Sequence, residues 1–341
     1  MKKSVLHGPG FTWVSAVFLL AAALCAGCSM PASGGGEGGG TAAAPPVTAP
    51  AGFAYVAGGT VTGSDSYKMT VTVPNDPAYD FPGQTSTHKG VFVAGRKIVI
   101  APFFMAKHET ARRLWYEVQS WALANGYAFK NTISASGGSV SNPDKPVTNI
   151  TWRDAVVWCN AYSEQAGLEP VYRSGGAVLR DSSDAAVFGN HNVQMDTAKN
   201  GYRLPTEAER EYAARGGDPA QADWMYRYAG SNNPDEVAWH YGNAKLVLQD
   251  GGGKAPNRLG IFDLSGNAQE WGWDWMHYGS DVTSQTPPDG VSYTSERYFQ
   301  KPMAGGGVNA NPTMSCVAYR WGYGDDYKDG YVGFRVLRKA E

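Results

Sequence analysis

Few side chains in this chain could do covalent chemistry, and they lie far apart. Of four cysteines, Cys25 and Cys28 close an apolar N-terminal segment, which leaves Cys159 and Cys316 in the body of the chain. Two thiols could pair in an oxidising compartment, but two cysteines are not a disulfide framework. Cys159 falls on the apolar face of a helical pattern, where a buried free thiol is expected. His88, His108, His191, His240 and His277 stand singly, and His7 lies in the leader, so no histidine set has metal-ligand spacing. Non-covalent chemistry is concentrated near the C-terminus, in the run from Trp321 to Tyr331. Its Trp, Tyr, Gly and Asp residues are the vocabulary of adaptable binding loops: aromatic rings bring contact area at low entropy cost and glycine lets the loop adjust. The alternative is a structural loop of the same composition without a ligand.

The elements that must position these residues begin after a processing segment. Lys2 and Lys3 precede an apolar stretch from Phe11 to Leu24, too short to span a bilayer comfortably. Leu24-Cys25-Ala26-Gly27-Cys28 has the form of a lipoprotein cleavage site, with residues 1–27 removed and Cys28 lipidated. An ordinary secretory cleavage near Ala26 or Gly27 is the alternative. Residues 28–50 read as a disordered Gly/Pro/Ala tether, spanning roughly 25 Å on average. Residues 51–341 are long enough for one globular domain. With 43% hydrophobic residues, 43 Gly, 11 Trp and 19 Tyr, a loop-rich fold pinned by aromatics is expected. The net charge of −2 offers no general attraction to nucleic acid.

Within the domain, Val56 to Ser64 reads as a strand and turn, and Val91 to Phe104 as a strand-rich stretch around Gly95-Arg96. Three helices carry start and stop signals. The first is capped by Thr110, turns Leu114, Val118, Trp121 and Ala122 inward, and ends at Gly126. The second is capped by Thr151 with Asp154 completing a capping box, buries Trp152, Ala155, Val156, Cys159 and Tyr162, and ends at Gly167. The third is capped by Thr206 with Glu209 and stops at Gly216-Gly217. No long helix is expected beyond residue 217.

These segments resemble the formylglycine-generating-enzyme (sulfatase-modifying factor) family. The matching pieces are Ala57-Gly58-Gly59-Thr60, Phe104 to Thr110, Val147 to Ala155, Tyr202 to Gly217, Gly260 to Trp271 and Gly333-Phe334-Arg335. They cover about residues 54 to 338, and the Tyr202–Gly217 motif is the most specific. The resemblance implies an α+β domain, a loop-rich variant of the C-type-lectin fold. The charges at Arg203, Glu207, Glu209, Arg210 and Glu211 read as a capping and ion-pair network, and Trp271, Trp273 and Trp275 as packing.

Three functions follow from the resemblance. The family's copper oxidases use two nearby cysteines, suited to a soft Cu(I) ion. Here Cys316 stands where the second would fall, and Asn309-Ala310-Asn311 where the first would be, so no copper is expected. The related non-heme iron enzymes carry an extra His-rich helical domain that is missing here. The third reading is similar to the variable proteins of diversity-generating retroelements, which bind ligands through a rewritten C-terminal segment. That segment corresponds to residues 305–335. It places Asn309, Asn311, Ser315, Tyr319, Trp321, Tyr323, Asp325, Asp326, Tyr327, Asp329 and Tyr331 around one exposed surface, with Phe334 and Arg335 structural. Gly307-Val308 departs from the usual Ser-Trp. The resemblance also implies calcium at Asp263, the carbonyls of Gly266 and Ala268, and Glu270; a second family site near Asn243-Ala244 has only Asp250 as a carboxylate partner. The expectation is a lipid-anchored display protein at the outer membrane or cell surface. It would bind a protein or surface ligand, and not nucleic acid.

Overall fold

The computed structural model describes residues 47–75, 83–132, 140–188, 192–277 and 299–340. Val47–Glu341 forms one compact unit. Cys28, most of the tether and His191 lie outside the described residues.

Strand Phe53–Val56 runs antiparallel to Phe103–Ala106, which pairs on its other side with Leu337–Lys339. The two ends of the domain therefore close one sheet. Its side chains alternate between two cores, as the two-residue period of a strand requires. Ala54, Val56, Phe103, Met105 and Leu337 enter a core that contains Cys316. Phe53 and Phe104 enter a second core with Trp115, Trp158 and Phe334. There Trp115 stacks on Trp158 at 5.7 Å, and Phe334 meets both rings edge-on.

A second sheet is ordered Met276–His277, Phe299–Ala304, Gln269–Trp271, Val332–Gly333, with Trp321–Tyr323 also on Phe299–Ala304. Three two- and three-stranded ribbons complete the described strands. This is the α+β, C-type-lectin-like architecture that the sequence implied.

The second and third long helices, Trp152–Gln165 and Glu207–Ala214, both start in capping boxes, Thr151 with Asp154 and Thr206 with Glu209. The first, Arg112–Ala124, corrects the expectation. Its N-cap is Ala111, not Thr110. Thr110 is used instead as backbone mortar, its N–H bonding Phe334 and its carbonyl accepting from Val147. Packing turns Trp115, Val118, Gln119 and Ala122 inward and leaves Leu114 and Trp121 half-buried. The second helix buries Val157 and Trp158 as well, so it is enclosed more widely than an amphipathic helix. Tyr162 stays half-buried. Of the stretch from Val91 to Phe104, only Lys97–Ile100 and the start of Phe103–Ala106 are strand.

Candidate binding face and its buried support

Strand Trp321–Tyr323 is laid against Phe299–Ala304, with Met303 opposite Trp321 and Lys301 opposite Tyr323. Alternation sends Trp321 and Tyr323 to one face, where they are 40% and 37% exposed. Gly322 between them is buried, and a Cβ there would lie 2.6 Å from the Met276 sulfur. Only glycine lets the strand seat this closely. Tyr327 stacks on Tyr323 at 3.9 Å and meets Trp271 edge-on. Asp326 beside them is exposed.

The turn that carries these rings is fastened from behind. Arg153 Nη2 bonds Asp325 Oδ1 at 2.6 Å, and the Arg153 amide donates to the Asp325 carbonyl. The Asn149 amide donates to the Asp329 carbonyl, and Asp329 Oδ1 accepts from the Tyr331 amide. Directly across the ladder from Tyr323, and so on the same face of the sheet, Lys301 is fully buried, its Nζ 3.4 Å from the centre of the Trp275 ring and 3.9 Å from that of Trp152. It donates to the Trp273 carbonyl. Burial pushes this amine well below the ordinary lysine range, against the pull of Asp274 and Asp325.

The eleven residues expected around one surface therefore divide. Trp321, Tyr323, Asp326 and the half-buried Tyr327 form a contiguous stretch, and Asn309 is exposed on its own loop. Asn311, Ser315, Tyr319 and Asp325 are corrections: all four are buried. Asn311 Oδ1 caps the turn Pro312–Ser315, and its amide donates to Gln84. Tyr319 sits in the first core, edge-on to His88. Asp325 is held by Arg153. Tyr331 and Asp329 are half-buried, with Tyr331 packed beside Ala268 and Val308. Phe334 and Arg335 are fully buried, as expected of the closing segment. Sequence reasoning missed Lys301, whose only sequence signal was the alternating Trp273 and Trp275. It also missed Met314, which is exposed.

The carboxylates assigned to calcium have another occupation. Arg335 Nε lies 2.9 Å from both Glu270 oxygens, and its Nη2 is 2.5 Å from Oε1. Arg210 Nε approaches Glu270 at 3.6 Å. Asp263 Oδ2 accepts from the Gly252 amide, while its Oδ1 is buried without a partner among the described residues. Glu109 accepts from Asn267 and from the Ala268 amide. Glu270 is thus a guanidinium partner, not a ligand awaiting a cation, and a divalent ion would share its oxygens with two positive side chains. With Glu270 so engaged, Asp263, Gly266, Ala268 and Glu270 are not arranged here as an open calcium ligand set, and among the described residues no group of three or more His, Cys, Asp or Glu is placed to hold a metal ion. Burial drives the Glu109 carboxyl well above the usual range, with Asp263 and Glu270 pushing the same way. Burial also raises Asp263, to about 6.

The thiols are separated as well. Cys159 and Cys316 are free, buried and in different cores. Burial pushes the Cys316 thiol up to about 12. The charges of the third helix form the expected network: Arg203 grips Glu209 with two nitrogens, Arg320 grips Glu207, and Glu211 binds Arg215 and the Val91 amide.

Fold and site together define a domain of the formylglycine-generating-enzyme type. The family model described as "Sulfatase-modifying factor enzyme 1-like domain" matches residues 43–340, and the chain belongs to that family. Chaperone protein LppX of Paenibacillus barcinonensis is 32% identical over 226 residues, 60% of this chain and 73% of that protein. The formylglycine-generating enzyme of Bos taurus is 24% identical over 188 residues, covering 50% of this chain and 39% of that enzyme. Two solved structures share the fold. CarF has 23% identity and a TM-score of 0.61, covering 87% of this chain and 99% of its own. Treponema denticola variable protein 1 has 22% identity and a TM-score of 0.57, covering 84% and 95%.

Proposed function

We propose that this chain is a membrane-anchored binding domain that takes a protein ligand on the face made by Trp321, Tyr323, Asp326 and Tyr327. One observation carries the reading: two large aromatic residues, Trp321 and Tyr323, keep more than a third of their surface exposed on a strand whose backbone is fixed by pairing, by Gly322 and by the Arg153–Asp325 ion pair. Pre-fastened aromatic surface of this kind is what binding hot spots are made of. The relative named a chaperone supports a polypeptide-binding use of the fold. If the segment is diversified, differences between closely related alleles should fall at Trp321, Tyr323, Asp326 and Tyr327. Asn311, Ser315, Tyr319 and Asp325 should stay constant because they are buried. Differences spread evenly over both groups would sink the diversification reading.

Oxidase chemistry is not part of this proposal. Asn311 supplies no thiolate, and a thiol raised to about 12 is protonated at neutral pH. Purified protein supplied with copper is expected to leave a Cys-x-Pro-x-Arg peptide unchanged over hours. Turnover lost in Cys316→Ser would overturn this.

Anchoring is proposed through Cys28 at the outer membrane or cell surface, on the Leu24-Cys25-Ala26-Gly27-Cys28 pattern; no helix among the described residues is long and apolar enough to cross a membrane. Metabolic palmitate labelling should mark the wild type and not Cys28→Ser; equal labelling of the two would refute the anchor.

A further inference from the structure

Apart from the aromatic face, a groove of about 550 Å³ runs between strand Met69–Val73 and the loop around Arg227 to Asp235, with Pro312 also in its lining. Among the described residues the strand pairs on one side only, with Gln84–His88. Thr70 stands opposite Thr87 and Thr72 opposite Thr85, and each pair joins its hydroxyls, at 2.9 and 3.0 Å. The Thr70 carbonyl accepts from Arg227 Nε at 3.2 Å, so it points away from the partner strand. In an antiparallel pair the N–H and C=O of one residue face the same way, and the pattern repeats every second residue. Thr72 therefore also turns its N–H and C=O outward, along the edge that borders the groove. Neither group has a backbone partner there among the described residues.

The opposite wall is already set. Tyr228 and Ser231 exchange backbone hydrogen bonds, Asn232 Oδ1 accepts from the Arg227 amide, and Asn233 caps the turn Pro234–Val237. Asp235 stands on this wall with its side chain 66% exposed. Its Oδ1 accepts from Asn243 and meets His240, which leaves Oδ2 to an incoming donor. An open strand edge is a template for another chain, and extended peptides dock by adding a strand to such an edge.

We propose that the outer edge of Met69–Val73 is a docking site for an extended polypeptide segment, added as a strand at Thr72 with a lysine or arginine over Asp235. The site is separate from the aromatic face, so its test does not depend on that reading.

The test uses the full chain in mild detergent and a fluorescein-labelled peptide of sequence Lys-Thr-Val-Thr-Lys-Val-Thr, read by anisotropy. Saturable binding is expected. Thr72→Pro removes the outward N–H, leaves the backbone ladder to Gln84–His88 in place and gives up only the Thr72–Thr85 hydroxyl bond; it should weaken binding about tenfold or more, whereas Thr72→Val, which loses the hydroxyl and keeps the N–H, should bind as wild type. N-methylation of alternate peptide amides should weaken binding likewise, from the other side. Asp235→Asn should weaken the peptide and leave a lysine-free version unchanged, while Trp321→Ala should bind as wild type. No saturation up to about 1 mM peptide overturns the site, as does undiminished binding of the N-methylated peptide. That second arm decides the matter even if circular dichroism shows Thr72→Pro to be misfolded.

Discussion

Replacing Glu270 by alanine is expected to lower the unfolding free energy by about 3–5 kcal/mol, because it strands a buried arginine. Arg335 is fully buried, and Glu270 supplies its only carboxylate contacts within hydrogen-bond distance among the described residues. Its other bonds go to the carbonyls of Ala106, Lys107 and Phe262, which carry no charge to balance it. Asp263 and Glu109 are near enough to act on Arg335 electrostatically and should hold the loss towards the low end of that range. The loss should be the same with added calcium and with chelator, measured by thermal melts of metal-free protein. A calcium-dependent gain in wild-type melting temperature that disappears in Glu270→Ala would reverse this assignment.

The same cluster makes stability depend on pH. Asp263 titrates in the folded chain at about 6, against an ordinary value of 3.8. Between those values the folded state holds more protons than the unfolded one, so this group's contribution falls as pH rises through that window. Glu109 acts in the same direction. Asp263→Asn should flatten the decline and stabilise the protein at pH 7 by on the order of 2 kcal/mol. Asn suits the left-handed backbone that Asp263 adopts, with φ at 55°. An unchanged pH profile in that variant would count against the buried-carboxylate account.

A second contrast separates support from display. Phe334→Ala should cost about 3–5 kcal/mol, since the ring is fully buried against Trp115 and Trp158. In a domain of this size that is a fall in melting temperature on the order of 10 °C. Trp321→Ala removes a ring that is 40% exposed and should cost about 1 kcal/mol or less in stability. In binding it should cost about 2 kcal/mol or more, as hot-spot aromatics do. If Trp321→Ala melts as early as Phe334→Ala, Trp321 is a packing residue and the binding face loses its main support.

The sequence by itself determined what short-range physics can write. Thr151 with Asp154, and Thr206 with Glu209, declare helix starts because a cap and its return bond lie three residues apart. The family motifs identified the α+β, C-type-lectin-like fold, and the single thiol at Cys316 argued against a two-cysteine copper site. The residue composition of Trp321 to Tyr331 pointed to binding. Long-range pairing decided the rest. Trp321 and Tyr323 stay partly exposed although the register sets them opposite the fully buried Met303 and Lys301, because their strand lies outside the main path of its sheet, and no local pattern states that placement. Asn311 is taken inward by Gln84, 227 positions away, and Asp325 by Arg153, 172 away. Glu270 looked like a cation ligand within its own loop and became half of an ion pair only because Arg335, 65 residues later, is folded against it. Charge and hydrogen-bond partners at such distances are set by the closing of the two sheets, so the chain had to be folded before a binding residue could be told from a supporting one.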